Sequence, residues 1–540
     1  MCESQRHDNR SIVIAVTLPT LLIFMVATSI LFSKSLQAKT PAADRVLNIN
    51  TGIWYPTIQS AVDAPATTHG HTLSLTQGIY LESVVIPKSL TLIGSEPLST
   101  VLDGNNLGRV ISVTAGVNAN ITNVTIQNGL VSDGSNGGGI SNQGILTLTN
   151  SYVMHNWVSF FGNIPGGGGI YNVGTLNIIS STIKQNSAAG VDDIGLGVAN
   201  LGTLKIMNSS VSQNESNVSP PPGSGIYNGG VATLIGVIVD HNEGTGIQNQ
   251  ADGVLSLYNS IITNNTGEVV GGIHNKGFMT ITTSFVTANS AGLAGSTAYR
   301  EAGGIFNDYI LTVISSTISG NTSCETGSGV YNTGILMIDS STVSDNKNFC
   351  SPSIGGAGIT NDGDVLVTNS TLSRNTSGSG GGLLAHFGTV ELNNVTIADN
   401  VAQQTGGGIS LISGTLTIQN TIVARNTGGL SPDCTGSIFS QGHNLIGASD
   451  GCAFVPQPSD IVGTIDHPID PLLGPLGNFG GYNSTIGLIP GSPAIDAGNP
   501  ATCPSVDQRG FTRQGVCDIG SYEFGIGPSV LLGFLPAVYK

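Results

Sequence analysis

The sequence predicts an all-β fold: a right-handed, single-stranded parallel β-helix with a short N-terminal capping helix and a small disulfide-containing C-terminal region. Three observations predict it. A motif closed by a fixed Asn recurs through the middle of the chain, and apolar residues stand at constant distances before that Asn. The composition suits narrow strands joined by many turns, with 76 Gly in 540 residues, 9% charged and 5% aromatic side chains. An apolar content of 39% at such low charge is enough to build a core. The formal net charge of −16 excludes nucleic-acid binding as a main task, because that needs a basic surface.

The repeat carries the argument. Gly168-Gly169-Ile170-Tyr171-Asn172 opens one copy, and Gly138 to Asn142, Ser224 to Asn228, Gly303 to Asn307 and Ser328 to Asn332 open others. Each copy ends in a second Asn: Asn156, Asn186, Asn214, Asn242, Asn265, Asn289, Asn321, Asn346, Asn375, Asn400 and Asn426. Three residues before it stands Val153, Ile183, Val211 or an equivalent, and eight and ten before it are apolar as well. The pair with period two reads as a strand with both side chains inward, the single residue opens a second inward face after a bend, and Gly-Ile-x-Asn supplies a third. Three short strands in about 25 residues describe one coil of a β-helix. A helical repeat is excluded, since no copy has helical spacing over ten residues and Gly with β-branched residues would break it. Stacked at about 4.8 Å, eleven coils make a rod of roughly 50 Å.

Stacking sets Asn on Asn, so their amides should hydrogen-bond along the rod as in other cross-β ladders. The first Asn series, Asn142, Asn172, Asn200, Asn228, Asn275, Asn307, Asn332 and Asn361, runs 14 residues ahead of the second, and His386 takes that place near the end. Length varies instead in the turns after the second Asn: Trp157 to Pro165, Glu215 to Gly223, Ser290 to Ala302 and Lys347 to Gly355. These turns should gather on one side, where solenoids often bind partners. Trp157, Phe160 and Phe161 in the first are the candidate ligand-contact loop, able to stack on sugar rings; covering the coil edge is the plainer use. Asp345, Arg374, Asp399 and Arg425, one per coil before the ladder Asn, should form surface ion pairs rather than a catalytic site.

The ends need caps. Tyr55 to Asp63 reads as a short amphipathic helix over the first coil, and Gly78 to Ile86 and Ser89 to Gly94 alternate as early strands. This stretch resembles the N-terminal coils of the pectate lyase and pectin methylesterase superfamily. The central repeats resemble those of polymorphic outer membrane proteins, although the chain ends without the β-barrel of such autotransporters. Gly491-Ser492-Pro493-Ala494-Ile495-Asp496-Ala497-Gly498, Asp507-Gln508-Arg509-Gly510 and Cys517-Asp518-Ile519-Gly520-Ser521-Tyr522-Glu523 resemble the choice-of-anchor Q domain, which ends bacterial surface proteins with β-helical bodies.

The expected organisation is a signal peptide or membrane anchor in 1–38, a cap and irregular coils in 44–130, regular coils in 131–430, the anchor-like segment in 431–524 and an apolar tail in 525–540. The apolar run Ile12 to Phe32 is long enough to span a bilayer and long for a signal peptide, and either reading exports the rest to the cell surface or medium. Beyond it lie six cysteines, an even number that favours disulfides in an exported protein. Cys324 and Cys350 fall in adjacent coils, and Cys434 with Cys452 and Cys503 with Cys517 are local pairs.

No catalytic constellation stands out. Asp192-Asp193 and Asp362-x-Asp364 are tight acidic pairs in the coils, the first in a variable loop and the second in a turn, and no Arg or Lys cluster accompanies them. His69 and His71 lack partners at metal-ligand spacing. Asp496, Asp507, Arg509, Asp518 and Glu523 read as an ion-pair network, with a Ca²⁺ site as the alternative use; no cofactor is otherwise implied. The expected protein is a monomeric, non-catalytic surface rod that meets polysaccharide or another cell-surface partner, and touches membrane only through its N-terminal segment. The alternative is a secreted polysaccharide lyase or glycoside hydrolase, which four or more acids and bases converging on one groove would favour.

Overall fold

The computed structural model describes residues 45–527, apart from 160–165, 190–194, 217–222, 293–301, 325, 350–354 and 430. The apolar run 12–32 and the tail from 528 onward therefore lie outside the described residues. Among the described residues no helix is long and apolar enough to cross a membrane.

The chain winds as a parallel β-helix with three main faces. The first is built of three-residue strands such as Ile305–Asn307 and Val330–Asn332, the second of five-residue strands such as Ile310–Ile314 and Ile335–Asp339, and the third of strands such as Thr317–Ser319 and Thr342–Ser344. Like stacks on like: Leu311 on Leu336 on Val365, and Ile318 on Val343 on Leu372. These side chains point inward and are buried in one continuous core. Among the described residues the third face holds sixteen strands, from Gly78–Leu81 to Ile461–Val462, so the stack rises about 70 Å at 4.8 Å per step.

Polar ladders close the corners. Each second-series Asn donates from Nδ2 to the Oδ1 of the Asn one coil on, from Asn156 to Asn186 (2.9 Å) through Asn321 to Asn346 (3.0 Å) to Asn400 to Asn426 (3.0 Å). The same Oδ1 also accepts a backbone N–H, as from Asn321 N to Asn346 (3.0 Å). These amides are buried and satisfied, which is why stacked Asn is tolerated in the core. The first series forms its own ladder, from Asn142 to Asn172 (2.7 Å) to Asn332 to Asn361 (2.8 Å). Two details differ from the sequence expectation. Asn249 fills the coil that lacked a first-series Asn, accepting from Asn228 and donating to Asn275 at 2.8 Å each. It lies 16 residues ahead of Asn265 rather than 14, because the turn after it is longer. Near the end Ala385, not His386, stands over Asn361.

The Gly before Ile in each motif is explained by close approach. A Cβ on Gly329 would lie 2.4 Å from the Gly358 carbonyl and 2.8 Å from the Asn346 amide, and Gly139, Gly304 and Gly382 face the same neighbours in their coils. The first face thus abuts the second Asn ladder with no room for a side chain. A third ladder, of serines five residues before most second-series Asn and broken by Val237 and Val395, was not read from the sequence. Ser316 N donates to Ser341 Oγ and Ser341 N to Ser370 Oγ, both at 3.0 Å.

The N-terminal cap is as expected. Ile58–Asp63 is a helix whose Ile58, Ala61 and Val62 are buried, with Thr57 and Ser60 forming a capping box. The Glu82 carboxylate accepts the Ile58 and Gln59 amides at 2.9 Å each, placing negative charge at the helix start.

At the other end, parallel stacking continues past the point where the sequence period stops. Cys434–Ser440 pairs with the first and second faces, and Leu445–Ile446 and Ile461–Val462 extend the third. The chain then turns back, and residues 471–524 pack along the third face. There the outward positions shrink to Thr342, Ser344, Thr371, Ser373, Thr396 and Ala398, all buried. In earlier coils the equivalent positions, such as Tyr152, Met154, Thr182 and Lys184, are partly exposed. Thr371 bonds Gln508 (2.6 Å) and Ser521 (3.0 Å), and Asn394 reaches the Gly520 carbonyl (3.2 Å). Ile422 and Leu445 of the rod share a second apolar core with Ile486, Leu488 and Ile519 of this returning segment.

Candidate functional site

Among the described residues, the expected site residues scatter. Trp157 begins a short strand, Trp157–Ser159, and is 38% exposed; Phe160 and Phe161 lie outside the described residues, as do Asp192-Asp193. Short strands do follow the second Asn in register, Thr266–Gly267, Ser290–Ala291, Thr322–Ser323 and Lys347–Asn348, so those turns leave from one side of the rod. Cys434–Cys452 and Cys503–Cys517 are disulfides, with Cα–Cα distances of 5.4 and 6.6 Å. Cys324 is disulfide-bonded too, and Cys350 lies outside the described residues. Asp345 pairs with Arg374 (2.7 Å) and Asp399 with Arg425 (2.5 Å) between adjacent coils, as expected of surface pairing.

Of the expected C-terminal charges, Asp507, Arg509 and Glu523 enter ion pairs, with Arg513, which sequence reasoning did not name, as the second cation, while Asp518 accepts backbone amides. Arg509 bonds Asp507 (2.6 Å) and the Glu523 carbonyl (2.7 Å), while Arg513 bonds Glu523 (3.1 Å) and the Gly520 carbonyl (2.9 Å). All four side chains are buried and hold the returning segment together. Burial pushes the Asp518 carboxyl up to about 6, against the amides of Asp496 and Phe524 that favour its charge. His69 and His71 are structural, bonding Ser89 N (3.1 Å), Asn48 (3.1 Å) and Thr68 (2.9 Å).

The chemistry that does converge lies on the outside of the first face. The x position of Gly-Ile-x-Asn points outward, and three successive coils place His274, Phe306 and Tyr331 there. His274 stacks on Phe306 at 4.9 Å with the rings 4° from parallel, and Phe306 meets Tyr331 at 4.9 Å. The residue after the Asn forms a second outward row beside it: Lys276, Asp308, Thr333 and Asp362. Asp308 accepts from Thr333 (2.7 Å) and pairs with His274 (2.8 Å). Asp362 accepts from the Tyr331 hydroxyl (2.6 Å) and pairs with His386 Nδ1 (2.9 Å). The one-residue shift that set Ala385 over Asn361 is what brings His386 to Asp362. Burial raises Asp308, but the bonds from His274 and Thr333 and the charge of Lys276 outweigh it, leaving its carboxyl below the usual range.

Exposed aromatic rings border this row at the turn into the second face. Phe278 is 47%, Tyr309 45% and Phe387 61% exposed, and Phe278 meets Tyr309 edge-on at 5.0 Å. Phe306 and Tyr331 themselves are buried, packed with Val270 and Ala302. The surface is therefore a ridge of aromatic shelves beside a row of hydrogen-bonding carboxylates and imidazoles, spanning five coils. Sequence reasoning had Asp362 only as a turn residue. The signal that could have found the track was the outward series His274, Phe306, Tyr331, read one residue before each first-series Asn.

No family model matches the chain. A cell surface glycoprotein of Methanothermus fervidus is 31% identical over 121 residues, 22% of this chain. The match spans only about a fifth of that relative's length. Among solved structures, pectate lyase Pel9A aligns over 72% of this chain and 89% of its own, at 14% identity and a TM-score of 0.30. The A-module of Azotobacter vinelandii mannuronan C-5 epimerase AlgE4 aligns over 78% and 98%, at 12% identity and a TM-score of 0.29.

Proposed function

We propose that the protein is an exported surface rod that binds glycan chains along the first-face track. One observation carries this reading: exposed Phe278, Tyr309 and Phe387, on the first, second and fifth of five stacked coils, stand in one row with Asp308, Asp362 and His386. Aromatic faces with adjacent acceptors and donors suit sugar rings, which offer C–H faces and hydroxyl edges. Two disulfides support an oxidising destination, and the partial likeness to a cell surface glycoprotein agrees with it. The apolar run 12–32 would be the export signal or anchor, and the returning segment would be a choice-of-anchor Q domain. Trp157 with Phe160 and Phe161 would form a second contact on the loop side.

The test is co-elution of the purified protein with a panel of polysaccharides. Binding that survives Trp157→Ala and falls at least about tenfold in a Tyr309→Ala, Phe387→Ala double variant is expected, given about 1 kcal/mol or more per stacked ring. Unchanged binding in the double variant would move the site elsewhere.

A second reading is catalytic, and a specific arrangement favours it. Asp362 holds His386 through Nδ1, leaving Nε2 as the free ring nitrogen of an acid–base pair. The His274–Asp308 and His386–Asp362 pairs lie two coils apart along one ridge, which supplies acids and bases without gathering them in one groove. Against glycoside hydrolysis stands Asp308: its carboxyl is held below the usual range, the wrong direction for a general acid. Shortened polymer in the same panel, abolished by His386→Ala, would establish the enzyme.

A further inference from the structure

We infer that the track takes a glycan of neutral sugars and discriminates against polyuronates; this rests on the glycan-binding reading above. The ridge between the first and second faces carries Asp252, Asp308, Asp362 and Asp364, all at or beside the turn that follows the first-series Asn. Among the described residues Lys276 is the one permanent cation on that turn. A polymer laid along the ridge would meet a carboxylate at every second coil, those of Asp252, Asp308 and Asp362 with Asp364, at spacings of about 10 Å. Lys276 acts on the Asp308 carboxyl through its charge. Asp308 and Asp362 are held by neutral-capable donors, the Thr333 and Tyr331 hydroxyls and the His274 and His386 rings.

A carboxylate only accepts hydrogen bonds, so it suits sugar hydroxyls, which donate. A uronate group would place like charge against it, and such juxtaposition is what specific surfaces use to reject a wrong partner. Arg374 and Arg425, on the coils beside this stretch, are paired with Asp345 and Asp399, which precede the second-series Asn at the other end of the coil.

Affinity electrophoresis of the full chain tests this, in gels containing galactomannan or polygalacturonate at low and moderate salt. Galactomannan should retard the protein at a concentration at least about tenfold lower than polygalacturonate, with little salt dependence. Asp308→Asn with Asp362→Asn should narrow that ratio to less than about threefold. A thermal melt of this double variant checks folding, and Asp364→Asn on the exposed edge gives a milder variant that should shift the ratio the same way. Equal or tighter retardation by polygalacturonate would overturn the inference and keep the glycan reading. No retardation by either polymer would overturn the glycan reading itself, and the inference with it.

Discussion

Asn321→Ala would test the ladder in the middle of the rod. The Asn321 side chain makes four hydrogen bonds across three coils. It donates to Asn346 Oδ1 (3.0 Å) and the Val286 carbonyl (2.9 Å), and accepts from Asn289 N (3.0 Å) and Asn289 Nδ2 (3.1 Å). Truncation leaves the Asn289 N–H buried without its acceptor, at about 1–3 kcal/mol. Asn289 Nδ2 keeps the Ile262 and Thr287 carbonyls, so its loss is the smaller one, about 1 kcal/mol. The sum is roughly 3 kcal/mol, concentrated in the coils around 286 to 346. Long repeat arrays need not unfold in one step, so a single midpoint is a poor readout. Hydrogen exchange followed by mass spectrometry reads the local effect: amides in those coils should exchange about 100-fold faster, with the N-terminal coils unchanged. Asn264→Gly is the control, since that exposed amide bonds only Asp240 (3.1 Å), its positive φ of 53° suits Gly, and the change should cost little. Equal protection in the Asn321 variant and the control would refute the argument that buried amides hold the register.

Gly329→Ala should be at least as damaging as the ladder variant, because its Cβ would overlap the Gly358 carbonyl; soluble yield and melting temperature measure this. Asp433 ends the second ladder, accepting from Asn426 N and Nδ2 (3.1 and 3.0 Å) and from Ala448 N (2.8 Å), and burial pushes its carboxyl up to about 6. The folded state then holds this proton more tightly than the unfolded chain, whose carboxyl titrates near 4. Its contribution to stability is therefore greatest below about pH 4 and declines as pH rises to about 6, by up to about 3 kcal/mol. Urea midpoints of wild type and Asp433→Asn across pH 4 to 7 should lose that slope in the variant. Arg513→Ala leaves Glu523 buried without its cation, a change of about 3–5 kcal/mol, and should make residues 471–524 sensitive to limited proteolysis while the coils resist.

The fold was legible because a β-helix repeats its inward chemistry. Apolar residues at three, eight and ten before each Asn faced inward in every coil, and the Asn had to stack. What escaped was whatever depended on register slips. Asn249 was hidden by two extra turn residues, and His386 by a one-residue shift. The serine ladder was masked by the general abundance of Ser and Thr. The covering of the third face was visible in principle, as Ile238, Ile261 and Phe285 give way to Thr342, Thr371 and Thr396. Nothing local says that a segment more than a hundred residues away supplies the cover. The His–Asp track was harder still, since its partners sit 24 to 34 residues apart and pair only once the stack is built.

This division follows from the architecture. Inward positions are tied to their neighbours above and below, so an Asn, Gly or Ile there answers to the coils on both sides and cannot drift alone. Outward positions answer only to solvent or to whatever docks. The first face uses that freedom for rings and carboxylates between His274 and Phe387, and the third for small hydroxyl residues beneath the returning segment. Where outward side chains change character together over several successive coils, a solenoid has been shaped to meet something. On the third face that partner is the protein's own C-terminal segment. On the first face the exposed rings of Phe278, Tyr309 and Phe387 have no such cover among the described residues, which is why the search for a ligand belongs there.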